Sequence, residues 1–501
     1  MAATPPVRSE SELRSRAKKM ALDRAKKARV PAEIRGFGDK RTLLRGSPEV
    51  PPGLKLAPSP DSAMPILGHL RSFQLRPGEA RLRDLLRYRE ELGDIVRFQF
   101  GGITAHLMAS PDHIQRALQE QNKLYGKNTR GMHKLRLILG TGLLTNDGES
   151  WLSQRRIAQP AFHRRRIASF GDDFAIATEE MTAQWTQGEP IDIHYEMMKV
   201  TLRIVGQTLL GTDVTKESDA IGAAVSTVVE DVNQRVNALV DLPPPFPTRR
   251  NKKLAIAMDV LDGIVLDMIE QRRRSGVSGD DLLGMLMDAQ DEETGESMDD
   301  AQLRDEVMTI FLAGHETTAN ALTWTLYQLS KSPTIARRMQ AEVDEVLGDR
   351  QASAADAKAL TYTKQVLQES MRLHPPAWML ARSPDEDDVV DGYHIPRHSL
   401  VFLCPWVTHR HPAHWEDPEG FDPDRFSPER SKGRHRFAYF PFGGGPRLCI
   451  GSNFALMEAQ LILATIARDW RLDLVPSHPV ELEPLVTLRP KHGIAMVPHR
   501  R

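Results

Sequence analysis

Apolar residues recur at three- and four-residue steps from about residue 111 to 375, the period of helices that bury one face. Alternation replaces that period on either side. Ile95-Val-Arg-Phe-Gln-Phe100 and Ala105-His-Leu-Met-Ala109 read as two strands turned at Gly101-Gly102. Residues 376–450 break into short strands and turns rich in Pro, His and Asp, and Asn453–Ala467 is again helical and apolar. Arg471–Val475 and Gly493–Val497 read as returning strands, and Pro51-Pro52-Gly53 with Pro58–Pro65 marks an irregular entry to the folded body. The longest predicted helix runs from Met298 to Ser330, about 33 residues and roughly 50 Å at 1.5 Å per residue. Ser297 with Asp300 is its expected capping pair, and Pro333 limits its far end.

Composition narrows the function classes. Length alone, at 501 residues, suggests two or three domains. With 40% hydrophobic and 27% charged residues the chain has a globular composition, and a net charge of −1 gives no general attraction to nucleic acid. Residues 1–45 are rich in Arg and Lys and contain no apolar run, so neither a transmembrane anchor nor a signal peptide is expected there. The basic stretches Arg14–Lys19 and Arg24–Arg29 read as a solvated or frayed helix rather than a membrane-surface patch. The two cysteines, Cys404 and Cys449, predict no structural disulfide, which suits a reducing cytoplasm.

Cys449 carries the strongest chemical signal. It lies in Phe442-Gly-Gly-Gly-Pro-Arg-Leu-Cys-Ile-Gly451, immediately before the apolar helix. Glycines let backbone approach a bulky group that a Cβ would exclude. A helix start offers free N–H groups and a positive dipole end, which favour thiolate over thiol. No Lys-Ser or Lys-Thr follows the glycines, so a phosphate loop does not compete, and the dinucleotide fingerprint after a strand is missing. The full pattern Phe-x-x-Gly-x-Arg-x-Cys-x-Gly resembles the signature of the cytochrome P-450 superfamily, in which the cysteine is the axial ligand of haem. The resemblance implies one large, mainly α unit with small β-sheets over residues 49–501, preceded by a basic extension at 1–48. It implies heme b (iron protoporphyrin IX) as cofactor, with Cys449 on the iron. Lacking an anchor, the chain resembles the soluble bacterial members.

A second motif stands in the middle of the long helix, at Ala313-Gly-His-Glu-Thr-Thr318. Gly314 weakens a helix and leaves room for a close approach. Thr317 and Thr318 can draw backbone carbonyls to their hydroxyls. Glu316 is an acid between the apolar runs Met308–Leu312 and Ala321–Trp324. A zinc-protease reading of His315-Glu316 fails because position 319 is Ala. The run resembles the oxygen-activation motif of the same family. By that resemblance Thr317 hydrogen-bonds iron-bound dioxygen or its water, and Glu316 relays protons into a site kept dry.

Other segments resemble the family's framework. Glu369 and Arg372, three residues apart on a predicted helix, are similar to its Glu-x-x-Arg pair, and Phe421–Phe426 resembles the loop that adds Arg425. The implied role of this triad is to fix the cysteine loop. Trp151 and Arg155, at i, i+4, are similar to a Trp-x-x-x-Arg helix that reaches a haem propionate. Arg447 and Arg382 are further propionate candidates, and Phe442, Gly443, Gly451 and Gly314 are expected to line the haem. His409-Arg-His-Pro-Ala-His414 invites a metal reading, but a structural turn is favoured.

The implied reaction is hydroxylation of an apolar small molecule (fatty acid, terpenoid or steroid-like) with O2 and two electrons from NAD(P)H. The first expectation is a fatty acid, because Ala313–Thr318 and Leu242–Asn251 are similar to the fatty-acid-hydroxylating branch. Expected pocket segments are Tyr125–Leu144, Val225–Pro247, Pro376–Leu380 and Leu485–Leu488, all apolar. No reductase segment is recognisable, so a separate ferredoxin or flavodoxin with its NAD(P)H reductase is expected to supply the electrons. Arg155, Arg156, Arg164–Arg166 and the Arg430–Arg436 run are candidates for its docking face. A monomer is expected. The alternatives are a hydrogen-peroxide-driven peroxygenase and a hydroperoxide isomerase or dehydratase, both disfavoured by Glu316 or Thr317. A non-catalytic haem gas sensor or carrier is the third, and it needs no proton relay.

Overall fold

A computed structural model describes residues 50–63, 68–69, 76, 78–211, 218–237, 242, 246–275, 281–288, 290, 295 and 297–501. The basic extension expected at 1–48 and parts of the Val225–Pro247 and Leu242–Asn251 segments lie outside the described residues. Helices predominate, and the described strands form small sheets of five, three, two and two strands. No described helix is long and apolar enough to cross a membrane.

The chain groups into two units, one containing Arg130–Ala161 and Val205–Ala313, the other Phe162–Ile204, Gly314–Arg501 and the described part of Gly36–Thr129. The first unit is helical. Ser218–Asn237 and Arg249–Ser275 pack on each other. A wholly buried guanidinium, Arg235, ties them: it pairs with Asp231 and donates to Asn251 Oδ1 at 2.5 Å. A buried arginine is tolerable only when its donors are satisfied in this way. Arg304 on the long helix is likewise buried and pairs with Asp262, while donating to Ile138 O at 2.9 Å.

The second unit holds the sheets. The hairpin predicted at Gly101-Gly102 forms between Ile95–Phe100 and Ile103–Met108. It continues through Leu400–Leu403 and Leu380–Pro384 to Tyr125–Gly126. The inward residues Val96, Phe98, Ala105 and Leu107 join Trp378, Cys404, Trp406 and Leu488 in one core cluster. Trp378 and Leu488 therefore serve the sheet core, although their segments were expected to line a pocket. Ser452–Asp469 is the apolar carboxyl-terminal helix, buried along most of its length against Gly171–Thr182 and Pro333–Leu347. Trp470–Leu474 and Ala495–Arg500 pair antiparallel as the returning strands.

The long helix spans Asp300–Lys331 without a break. Its start differs from the expected Ser297/Asp300 pair. Asp299 Oδ1 accepts the Gln302 N–H at 2.7 Å, and Asp299 O accepts from Leu303 N, so Asp299 is the capping side chain. An Asp there also meets the positive helix end, an advantage Ser lacks.

Candidate active site

The cysteine loop is held by backbone geometry before any ligand is considered. Cys449 N donates to Phe442 O at 3.0 Å, and Leu448 N to Gly445 O at 3.1 Å, closing the loop on itself. Gly443 and Gly445 adopt φ of +72° and +64°, where an L side chain is strained. Their neighbours are protein atoms. A Cβ on Gly445 would sit 1.8 Å from Leu118 O, and one on Gly444 2.3 Å from the Phe437 ring. Gly451 has an ordinary φ of −84° and nothing closer than 3.7 Å to a built Cβ. So Gly444 and Gly445 clear space for the loop's own packing and not, as their residue type alone suggests, for a bound group. The result leaves the Cys449 side chain exposed, three residues before the start of the helix Ser452–Asp469.

The other cysteine is a contrast. Cys404 is wholly buried, donates to Trp378 O at 3.2 Å, and burial pushes its thiol up to about 12. It is a small core residue with no access to chemistry.

Glu369, Arg372 and Arg425 come together as a buried ion-pair group. Arg372 grips Glu369 with two parallel bonds of 2.7 and 2.8 Å, both side chains fully buried. Arg425 Nε approaches Glu369 Oε1 at 3.3 Å, an ion-pair contact without hydrogen-bond alignment. The remaining donors of Arg372 go to the carbonyls of His409, Pro418 and Gly420, and Arg425 Nη2 donates to Asp417 O. From there a chain of bonds reaches the cysteine. The His409 ring accepts Phe440 N at 2.9 Å, Phe440 O accepts Gly443 N, and Phe442 O accepts Cys449 N. Burial and the cations Arg372 and Arg410 hold His409 well below the usual histidine range, so it stays neutral and can accept through Nε2. This link was missed in the sequence, where His409 figured only in a short His cluster. His411 binds Asp94 at 3.0 Å, and the described residues contain no group of His, Cys, Asp and Glu fit to hold a metal ion.

On the long helix, exposure has a sharp pattern. His315, Glu316, Thr318, Ala319 and Asn320 are buried, whereas Gly314 and Thr317, three apart on one face, are partly exposed. Thr318 Oγ1 donates to Gly314 O at 3.2 Å, and Thr201 Oγ1 donates to His315 O at 3.1 Å. Two successive carbonyls beside the open face thus receive hydroxyl donors in addition to the helix ladder, as the threonine pair suggested. Glu316 points inward: Thr487 Oγ1 donates to its Oε1 at 2.6 Å. Burial raises its pKa, against the opposing effects of Thr487 and Arg489. Behind Thr318 lies Glu458, nine residues after Cys449, which burial holds well above the usual carboxylate range.

The other predicted residues fall as follows. Arg447 is half-buried in the cysteine loop. Arg382 is no exposed loop arginine. It is 7% exposed within the strand Leu380–Pro384, with Nη1 donating to Ala381 O at 2.9 Å. In the first unit, Trp151 and Arg155 share a face of the helix Gly148–Ala158, which Asp147 caps. Of the Arg430–Arg436 run, Arg434 lies over Trp415 at 4.2 Å and donates to Arg425 O, and Arg430 pairs with Asp422. Arg434 is thus part of the framework, whereas Arg430 and Arg436 are exposed.

The fold is mainly helical, and an exposed cysteine stands in a glycine loop just before a helix start. A second feature is a partly open helix face at Gly314 and Thr317 beside a buried acid, Glu316, whose pKa burial raises. The family model for cytochrome P450 matches residues 58–496, and the chain belongs to that family. Cyclooctatin synthase of Streptomyces melanosporofaciens is 36% identical over 87% of this chain and 94% of its own. Cyclooctat-9-en-7-ol 5-monooxygenase of the same organism is 34% identical over 83% and 89%. Pentalenene oxygenase of Streptomyces avermitilis is 31% identical over 85% and 93%. The protein is thus a cytochrome P450 monooxygenase whose cofactor is a haem iron. The residues present fit that group: one exposed thiol on a fixed loop, and a helix face at Gly314 and Thr317 that side chains leave accessible.

Proposed function

We propose that the enzyme hydroxylates a cyclic terpenoid or a similarly apolar small molecule, using heme b bound through Cys449. The overall balance is substrate C–H, O2, two electrons and two protons giving an alcohol and water. Haem iron, when bound by a thiolate, supplies the oxidising power for C–H oxygenation. The protein's part is binding, orientation and protons. Cys449 donates the thiolate. Arg447, Arg382, Trp151 and Arg155 are the propionate partners, and Phe442, Gly443, Gly451 and Gly314 line the cofactor. Glu369, Arg372 and Arg425 keep the loop in place.

The observation that carries this reading is a buried acid, Glu316, followed in the helix by a threonine, Thr317, on its accessible face. Burial of Glu316 raises its pKa and so favours its protonated form. Thr317, next in sequence, lies on the accessible face. In the proposed reaction the acid supplies the proton and the Thr317 hydroxyl receives it at the accessible face. A peroxygenase has no need of this pair. Terpenoid substrates are favoured over the fatty acid first expected because three relatives carry names of cyclic terpenoid oxidation. A ferredoxin or flavodoxin is the proposed electron donor, supported by the exposed Arg164, Arg165 and Arg436.

A panel of cyclic terpenes and fatty acids, titrated into the purified haem protein and followed by the Soret difference spectrum, tests the substrate class. Binders are then turned over with a surrogate ferredoxin, its reductase, NADPH and isotopically labelled O2. The proposal predicts a terpene alcohol carrying one labelled oxygen. Fatty-acid binding and hydroxylation with no terpene response would overturn the substrate class.

A further inference from the structure

The short strands Leu482–Pro484 and Leu488–Pro490 pair antiparallel, and Leu485–Thr487 turns between them. Two indole groups and one backbone bond pin this turn. Trp378 Nε1 donates to Leu485 O at 2.9 Å, Trp324 Nε1 to Leu488 O at 3.0 Å, and Leu488 N to Pro376 O at 2.9 Å. Trp324 and Trp378 are themselves buried, so the turn is fixed even though its tip, Val486, is exposed.

What this rigid turn presents is one hydroxyl. Thr487 is 6% exposed. Its Oγ1 accepts the Asn320 side-chain amide at 3.3 Å and donates to Glu316 Oε1 at 2.6 Å. Asn320 lies one helical turn beyond Glu316 and is fully buried. A threonine hydroxyl has one proton to give. With that proton committed to Oε1, Oε1 is the acceptor oxygen of the carboxyl, and in protonated Glu316 the proton belongs on Oε2.

We propose that Thr487 is a positioning residue for the proton-donating acid: backed by Asn320, its hydroxyl fixes which oxygen of Glu316 carries the proton and supports the ionised form after the proton has left. This rests on the reading of Glu316 as proton donor. Burial opposes ionisation of Glu316, and the Thr487 bond and the Arg489 cation both favour it. Arg489 pairs with Glu483 at 2.8 Å and also acts on His194, which burial lowers to about 4 and so keeps neutral. His194 Nδ1 lies 3.4 Å from Thr323 Oγ1 on the long helix. Without the hydroxyl, Arg489 is left as the favourable partner and the acid becomes weaker.

The test compares Thr487→Val, Thr487→Ala and Thr487→Ser in the haem-loaded enzyme, with Glu316→Gln as reference. The infrared carbonyl stretch of protonated Glu316, identified by its loss in Glu316→Gln, is titrated with pH. A hydrogen bond to a charged group is worth enough to move the midpoint upward by about one pH unit in Val and Ala. The band also shifts to higher frequency as Oε1 loses its donor, and Ser restores both. Peroxide released per NADPH oxidised rises several-fold in Val and Ala and returns in Ser. An unchanged band and midpoint in both Val and Ala overturns the proposal. If instead the band moves but Glu316→Gln leaves peroxide release unchanged, the proton-donor reading fails and the positioning contact stands. Using Ala beside Val keeps the test open should the added methyl of Val impair folding.

Discussion

Replacing Gly445 by Ala should be among the most damaging conservative changes to the cysteine loop. Two independent costs coincide at this position. Its φ of +64° lies in the left-handed region, which costs an L residue roughly 1–2 kcal/mol. The new Cβ would also lie 1.8 Å from Leu118 O, 2.8 Å from Leu118 C and 3.2 Å from Gln119 Cα. These are backbone atoms of the segment Arg116–Glu120, so no rotamer change relieves the overlap. Overpacking of this kind adds about 1–3 kcal/mol. Together the loss is roughly 2–5 kcal/mol, a large part of a typical folding free energy. The sister glycines separate the two costs. Gly443→Ala incurs only the φ penalty, about 1–2 kcal/mol, because its nearest neighbour is 3.7 Å away. Gly444→Ala has an ordinary extended backbone but meets the buried Phe437 ring at 2.3 Å, an overpacking cost of about 1–3 kcal/mol. Gly451→Ala loses only a helix-cap preference, under about 1 kcal/mol. Denaturant unfolding midpoints give the ranking, and the carbon monoxide difference spectrum of the same samples gives the fraction with thiolate intact. Gly451→Ala matching Gly445→Ala in damage, or Gly445→Ala matching the unaltered protein, would refute the reasoning.

Two further outcomes follow from buried charge, and a third from the threonine on the accessible helix face. Burial raises Glu306 from 4.5 to about 7, against the help of the Leu143 N–H at 3.0 Å. The folded state then binds the extra proton between those values, so stability falls as pH rises from about 4.5 to 7, by roughly 3 kcal/mol in all. Glu306→Gln should remove that slope in urea titrations across the window, and an unchanged slope would contradict the assignment. Glu369→Gln leaves Arg372 and Arg425 buried without their anion, which should cost roughly 3–5 kcal/mol and release haem at lower urea than wild type needs. A loss below about 1 kcal/mol would show that the triad is not the strut inferred here. Thr317→Ala should retain haem and substrate binding while peroxide takes a larger share of the electrons consumed, and unchanged coupling would remove Thr317 from the proton route.

The parts legible in the sequence were those whose partners are near in sequence. Glu369 and Arg372 meet three residues apart, the Gly101-Gly102 hairpin closes locally, and the long helix differs from its predicted span by two residues at the start and one at the end. The cap moved from Ser297 to Asp299 because two acceptable capping residues stood within three positions, and only the backbone decides between them. What escaped the sequence reading was long-range. Gly445 is constrained by Leu118, Glu316 by Thr487, and Cys449 through His409 by Arg372. No periodicity reports such pairs. Thr487 lay in a segment read as pocket lining because its neighbours are apolar, whereas its own hydroxyl faces the acid. Arg382 was a propionate candidate by position alone, and its strand pairs with Leu400–Leu403 and buries it.

The central claim is that Cys449 ligates the haem iron as thiolate while Cys404 does not. The reduced, carbon monoxide-bound spectrum of purified protein, recorded for wild type, Cys449→His and Cys404→Ala, tests it directly. The strongly red-shifted thiolate-type Soret band is expected in wild type and Cys404→Ala, with a histidine-type band or loss of haem in Cys449→His. A red-shifted band that persists in Cys449→His, or a wild-type protein that takes up no haem, would contradict it.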